Sequence, residues 1–104
     1  MTARICVRDG AIYLPADVVA TYFRGIDAVI VLLQEQELRI LPVHQATSGG
    51  CLLKLRNAAG DRVAQARDVF QDQDLLGFAA EDLAARWESG MGALCVELKN
   101  LSEN

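Results

Sequence analysis

The sequence predicts an α+β fold that is mostly β: a small β-barrel or hairpin-rich sheet with two short helices, at about 15–24 and 75–89, in the order ββα–ββ–ββ–αβ. Glycine-containing turns separate short runs of β-forming residues, which is typical of hairpins. Residues 28–33 form an unbroken apolar run of strand length, and two other stretches have apolar residues at helical spacing. The chain of 104 residues has the length of one domain, with an N-terminal strand–helix–hairpin module at about 4–43 and a C-terminal half at about 51–98.

The N-terminal module begins with two predicted strands, at 4–8 and 11–14, around the tight-turn pair Asp9-Gly10. Pro15 suits the first turn of the helix that follows, because the missing backbone donor costs nothing there. Gly25 supplies the left-handed residue that commonly ends a helix.

A second hairpin is predicted at 27–34 and 37–43. The apolar run 28–33 within its first strand requires cover on both faces, which an open sheet with one helix supplies poorly. We therefore expect a homodimer that uses residues within 4–43.

The C-terminal half is predicted to continue after a loop at 44–50 with a hairpin of strands 51–56 and 62–70. A polar break at 71–74 precedes the second helix, in which Ala79, Leu83 and Trp87 recur every four residues. A strand at 93–98 closes the fold, and no internal repeat at fixed spacing is evident.

The N-terminal module carries Gly10, Ile12 and Leu14-Pro15, then a short apolar helix that ends at Gly25-Ile26-Asp27 and a hairpin. In these features it resembles the AbrB/MazE family over about 40 residues. The resemblance implies a swapped-hairpin barrel formed by two intertwined chains, and hence a homodimer.

The resemblance also implies DNA contacts from basic side chains on the first strands and loops, where this chain has Arg4, Arg8 and Arg24. The family usually has Arg or Lys directly after the glycine, and this chain has Ala11. Residues 1–44 carry a net charge of −1 and the whole chain −4, which disfavours binding to a phosphate backbone.

Charge is unevenly distributed in the C-terminal half. Residues 54–67 carry a net charge of +3 and residues 68–88 a net charge of −5. Such asymmetry suits a docking surface for a protein partner, although solvated faces would show it too. The candidate partner-binding residues are the basic side chains of the first segment: Lys54, Arg56, Arg62 and Arg67.

The three cysteines, Cys6, Cys51 and Cys95, are widely spaced, which favours buried thiols that act as small apolar side chains. The alternative is a zinc site that they form with His44. His44 and Ser48 belong to no catalytic motif, so we expect no enzyme activity, no catalytic residues, no metal and no cofactor.

No run of apolar residues approaches the roughly twenty that a membrane-spanning helix needs, and no signal segment is evident, so we expect a cytoplasmic protein without membrane association. The favoured function is a small non-enzymatic binding or accessory protein that acts through protein–protein contacts, as a homodimer with a further protein partner. The alternative is a DNA-binding transcriptional regulator or antitoxin-like protein, so nucleic-acid binding stays open.

Overall fold

The computed structural model describes residues 3–43 and 50–98. Within these residues the chain forms eight strands and two short helices. In chain order they are β1 (Ala3–Arg8), β2 (Ala11–Leu14), α1 (Ala16–Tyr22), β3 (Ala28–Gln34), β4 (Glu37–Val43), β5 (Cys51–Leu55), β6 (Arg62–Gln65), α2 (Arg67–Asp72), β7 (Ala79–Glu88) and β8 (Ala93–Glu97). The predicted class, a small α+β fold that is mostly β, is confirmed.

The strands form one closed barrel in the order β1-β2-β6-β5-β3-β4-β8-β7, and β7 pairs back onto β1. Every neighbouring pair is antiparallel. The longest ladder is the β3–β4 hairpin, from Ala28 opposite Val43 to Gln34 opposite Glu37. A closed sheet satisfies the backbone donors and acceptors of its own strands, so the described barrel has no free edge strand.

The elements occur as two successive ββαββ units, residues 3–43 and 50–98. In this comparison β1, β2, β3 and β4 of the first unit correspond to β5, β6, β7 and β8 of the second. When corresponding strands are exchanged, the pair β1–β7 becomes β5–β3, which also exists, and the pairs β2–β6 and β4–β8 become themselves. The barrel therefore has the pairing pattern of a pseudo-two-fold arrangement, although the sequence shows no fixed-spacing repeat. Each half supplies two hairpins, and neither half contains the pairings that close the barrel.

The core fills the barrel with aliphatic side chains and one large aromatic side chain from each half. Phe23, at the end of α1, and Phe70, in α2, are both fully buried. Around them pack inward-facing strand residues that alternate with outward-facing ones, as period-two burial requires. These are Ile5, Val7, Ile12, Leu14, Val29, Val31, Leu33, Leu38, Ile40, Leu53, Ala64, Leu94 and Val96.

The turn of each N-terminal hairpin contacts the first helical residues of the other half. The backbone N–H of Ala66, the residue before α2, donates to the carbonyl of Gly10 at 2.8 Å. The backbone N–H of Ala16, the first residue of α1, donates to Oδ1 of Asp61 at 2.8 Å. Gly10 and Gly60 both have positive φ, and each lies against the other half's helix. The turns thus fix where both helices begin.

The predicted helix at 75–89 is wrong, because residues 79–88 form β7, which pairs with β1 on one side and β8 on the other. Spacing by four is a multiple of the strand period of two, so Leu83 and Trp87 also fall on one face of a strand, with Ala85 buried between them. Trp87 is partly buried and stacks on Tyr22 of α1, with ring centroids 5.0 Å apart.

The second helix lies earlier in the chain than predicted. Residues 62–70 are not one strand: β6 ends at Gln65 and α2 begins at Arg67. The hydrogen bond from Ala66 to Gly10 is the last contact of the β2–β6 ladder, and α2 begins at the next residue. The first helix was predicted at 15–24 and spans Ala16–Tyr22, with Pro15 as its N-cap residue.

Replacement of Gly10 tests the contact between halves. Gly10 has φ +79°, and a Cβ there would lie 2.8 Å from the Cα of Arg67, whereas Gly25, at φ +71°, faces open space. A left-handed conformation costs an L-residue roughly 1–2 kcal/mol. We expect Gly25→Ala to lower the free energy of unfolding by that amount, and Gly10→Ala to lower it further because α2 must shift.

Urea unfolding followed by Trp87 fluorescence measures both losses. Equal losses for the two variants would show that the close approach of Gly10 to α2 contributes nothing.

Candidate binding surfaces

The structure places some of the residues predicted to bind DNA and some of those predicted to bind a protein partner on one surface. Arg4 and Arg8 lie on the outer side of β1, and Lys54 lies on the outer side of β5, because the residues between them face the core. The order β1-β2-β6-β5 makes these strands the two flanks of one barrel face, joined by the cross-strand row Cys6, Tyr13, Val63 and Lys54. Arg56 follows β5 and lies over Tyr13. We call Arg4, Arg8, Lys54 and Arg56 the basic face.

The remaining predicted basic residues have other surroundings. Arg62 is half-buried, and its Nη1 donates to the Leu53 carbonyl at 3.0 Å. Arg67 is exposed at the start of α2, beside Gly10. Arg24 is exposed between α1 and β3, outside the four strands of the basic face. The grouping of the basic residues on the surface therefore differs from the two groups that were predicted from the sequence.

The basic face is only partly available to an anion. Arg8 pairs with Glu81 of β7 at 3.3 Å, and both side chains are exposed, so this ion pair adds little stability. Arg4 donates from Nη1 to the main-chain carbonyl of Asp82 at 3.1 Å. The cation of Arg56 lies 4.7 Å from the centre of the Tyr13 ring, which favours this position by a cation–π interaction.

A pocket of about 180 Å³ opens on this face between the two halves of the chain. Arg4 and Arg56 stand at its rim, with Asp61 and Asp82, and Tyr13 and Cys6 are among the side chains beneath. Asp82 reaches the rim because the β1–β7 register shifts between Ile5 and Val7, which forms a β-bulge. The remaining lining residues are apolar: Ile5, Leu14 and Pro15.

The carboxylate of Asp61 is held by two donors. Its Oδ1 accepts the Ala16 backbone N–H, and its Oδ2 accepts a hydrogen bond from Asn57 Nδ2 at 3.0 Å. The hydrogen bond from Asn57, and then that from Ala16, lower the pKa of Asp61 below its ordinary value. Asp61 therefore joins the β5–β6 turn to the start of α1 as an anion.

An apolar surface adjoins the basic face at β5 and covers the outer side of β3, β4 and β5. Leu32 is 46% exposed and Leu52 is 59% exposed. Ile30 is opposite Leu41, and Ala28 lies between Val43 and Leu52, so these side chains share one face. We call Ile30, Leu32, Leu41, Val43 and Leu52 the apolar face.

A cluster of ion pairs borders the apolar face near the tip of the β3–β4 hairpin. Glu37 accepts from both Arg39 and Arg86, each at 2.9 Å, and Arg86 also pairs with Glu88 at 2.6 Å. The hydrogen bond from Arg39 is the largest cause that lowers the pKa of Glu37. Cys95 lies cross-strand between Arg39 and Arg86, and burial raises the pKa of its thiol.

The cysteines lie on three strands that are not neighbours in the barrel. Cys95 is buried, whereas Cys6 and Cys51 are only half-buried, so the prediction of three buried thiols is confirmed for one of them. Burial, and then the charge of Asp68, raise the pKa of Cys51. His44 and Ser48 lie outside the described residues. No group of three potential metal ligands occurs within 3–43 and 50–98.

Sequence reasoning missed the residues that make the pocket a shared feature of both halves: Tyr13, Asp61 and Asp82. They are far apart in the chain, and no local motif connects them. No helix in the described part of the chain is long and apolar enough to cross a membrane. Comparisons with family models, with curated proteins and with solved structures give no match to this chain.

The depressed pKa of Asp61 predicts a pH dependence of stability. A carboxyl with a lowered folded-state pKa stabilises the fold fully above its unfolded-state pKa, and this contribution is lost as the pH falls through the folded-state value. We expect Asp61→Asn to be less stable than the unmodified chain at neutral pH, and the difference to shrink in acid.

Urea unfolding at a series of pH values measures this difference. Asp72→Asn, at an exposed carboxylate of α2, controls for the loss of one negative charge. A difference that stays constant from neutral to acid pH would contradict the assigned role of the Asp61 charge.

Proposed function

We propose that this chain is a small non-enzymatic binding protein that acts through protein–protein contacts. The observation that carries the proposal is the apolar face on the outer side of β3, β4 and β5. A closed barrel offers no edge strand for a partner to extend, so contacts must use its faces. A contiguous exposed apolar surface with a polar border is the usual mark of a protein interaction site.

We propose a second copy of the chain as the occupant of the apolar face. The apolar rows, Ile30 with Leu41 and Ala28 with Val43 and Leu52, lie at one end of the β3–β4 hairpin, and the ion pairs of Glu37 lie at its tip. Two copies packed antiparallel place apolar rows on apolar rows and leave both charged tips at the rim. This is the composition of a self-complementary two-fold interface.

Sedimentation velocity tests the dimer. We expect the unmodified chain to sediment as a dimer at micromolar concentration and Leu52→Glu to sediment as a monomer, because Leu52 is 59% exposed in the apolar row with Ala28 and Val43, and its replacement would bury a charge in the interface.

Leu55→Glu is the matched control, since Leu55 is 61% exposed on the same barrel but belongs to neither row of the apolar face. It should remain dimeric. A monomeric unmodified chain, or equal loss of dimer in both variants, would contradict self-association through the apolar face.

Binding of duplex DNA is a second candidate, and the layout of the basic face favours it. Arg4 and Arg8 flank one side of β2–β6, and Lys54 and Arg56 flank the other side, so the two strands that the pseudo-two-fold pattern exchanges, β1 and β5, both carry or adjoin cations. This arrangement suits the two backbones of a duplex. Against it stand the net charge of −4 and the ion pair of Arg8 with Glu81, because phosphate binding depends on the number of available cations.

We expect no binding of a mixed-sequence duplex at about 50 mM salt, where charge attraction is only moderately screened. Fluorescence anisotropy of a labelled duplex measures it. Micromolar binding that falls steeply with salt, is lost in the Arg4→Ala/Arg8→Ala double variant and is kept in Arg24→Ala would overturn this expectation and favour the DNA-binding regulator.

A further inference from the structure

The pocket at the junction of the two halves has features that the dimer proposal does not use. Its rim carries two guanidinium groups, Arg4 from β1 and Arg56 from the β5–β6 connection. Among the described residues, neither arginine forms an ion pair, whereas Arg8, Arg39 and Arg86 all pair with glutamates. Both arginines therefore have unused N–H donors at the same small pocket.

Both guanidinium groups are held in place. The hydrogen bond to the Asp82 carbonyl occupies one of the five N–H donors of Arg4, and the Tyr13 ring supports the plane of Arg56. Because the two side chains are positioned before any ligand binds, less conformational entropy is lost on binding.

In the described part of the chain, the acidic groups at the rim form no ion pair with these cations, although the charge of Arg56 is among the causes that lower the pKa of Asp61. Asp61 uses its two carboxylate oxygens for Ala16 and Asn57, and Asp82 contacts Arg4 through its main-chain carbonyl. Their charges nevertheless repel an incoming anion in proportion to its charge. The attraction by Arg4 and Arg56 grows in the same proportion, so it is the apolar part of the lining, with Tyr13 and Pro15, that favours an acidic side chain over a free phosphate.

We propose that this pocket binds the carboxylate of an acidic side chain presented by a protein partner. Arg4 and Arg56 donate charge-assisted hydrogen bonds to the carboxylate, and Tyr13 and Pro15 contact the aliphatic part of the same side chain. The inference rests on the proposed protein-binding function and names the chemistry of the further partner. None of the described residues that line the pocket belongs to the apolar face, so the two sites do not share side chains.

A single amino-acid derivative serves as the probe. The full-length chain, labelled with ¹⁵N, is titrated with N-acetylglutamate amide and, separately, with N-acetylglutamine amide and inorganic phosphate. We expect saturable NMR shifts for the Nε–H groups of Arg4 and Arg56 and the amide of Tyr13, with millimolar affinity for the glutamate derivative only.

Substitutions locate the site. Arg4→Gln and Arg56→Gln should each weaken the glutamate derivative by about tenfold or more, the usual effect of losing a hydrogen bond to a charged group. Arg8→Gln is the matched control, because Arg8 belongs to the basic face but does not line the pocket. Its affinity should be unchanged, and circular dichroism checks that all three variants are folded.

Three outcomes would overturn the inference. Equal shifts with the glutamine derivative would show that no charge is recognised, and tighter binding of phosphate would assign the pocket to phosphate groups. A loss in Arg8→Gln equal to that in Arg56→Gln would indicate diffuse attraction to the whole basic face. The probe cannot bridge two chains, so the titration reports on the pocket whether or not the apolar face forms a dimer.

Discussion

Four antiparallel pairings, β1 with β7, β2 with β6, β3 with β5 and β4 with β8, join the two halves of the chain, and the other features of the structure depend on them. They bring the Asp9-Gly10 turn against α2 and the β5–β6 turn against α1. They also enclose Phe23 and Phe70, one from each half, in one core. Without these pairings each half would expose two hairpins with free edges, which are unstable alone.

Closure also decides which surfaces are available for binding. The strand 28–33 has its inner face in the core of its own barrel, and its outer face contributes Ile30 and Leu32 to the apolar face. The flanks of β2–β6 carry cations from both halves, and the pocket lies where these halves meet. The proposed binding functions therefore use surfaces that exist only in the complete barrel.

The sequence predicted the first half closely because its signals are local. An Asp-Gly turn, a proline before a helix and a glycine after it each restrict the backbone at their own position. Spacing by four at Ala79, Leu83 and Trp87 fits a helix and a strand equally, and only the pairing of β7 with β1 and β8 decides between them. The homodimer was predicted because residues 28–33 need cover on both faces; the closed barrel covers the inner face, and the outer face carries Ile30 and Leu32.

The candidate sites were harder to predict than the elements. Arg4, Arg8, Lys54 and Arg56 were identified from their charge, yet their grouping depends on the strand order β1-β2-β6-β5. Tyr13, Asp61 and Asp82 have no signal in a single sequence, because their roles come from a cation–π contact, a bond between halves and a β-bulge. The AbrB/MazE resemblance of residues 4–43 stays a prediction; the described strands of one chain close a barrel by themselves.

Whether one chain closes the barrel can be measured directly by isotope-filtered NMR on an equimolar mixture of ¹³C-labelled and unlabelled protein. A barrel closed within one chain predicts contacts between Ile12 and Ala64, and between Leu38 and Val96, in the spectrum of the uniformly labelled chain. It also predicts that these contacts vanish when the experiment selects pairs of protons on different chains. Strong interchain contacts between the same residues would show that the halves are exchanged between two molecules, and would contradict a barrel closed within one chain.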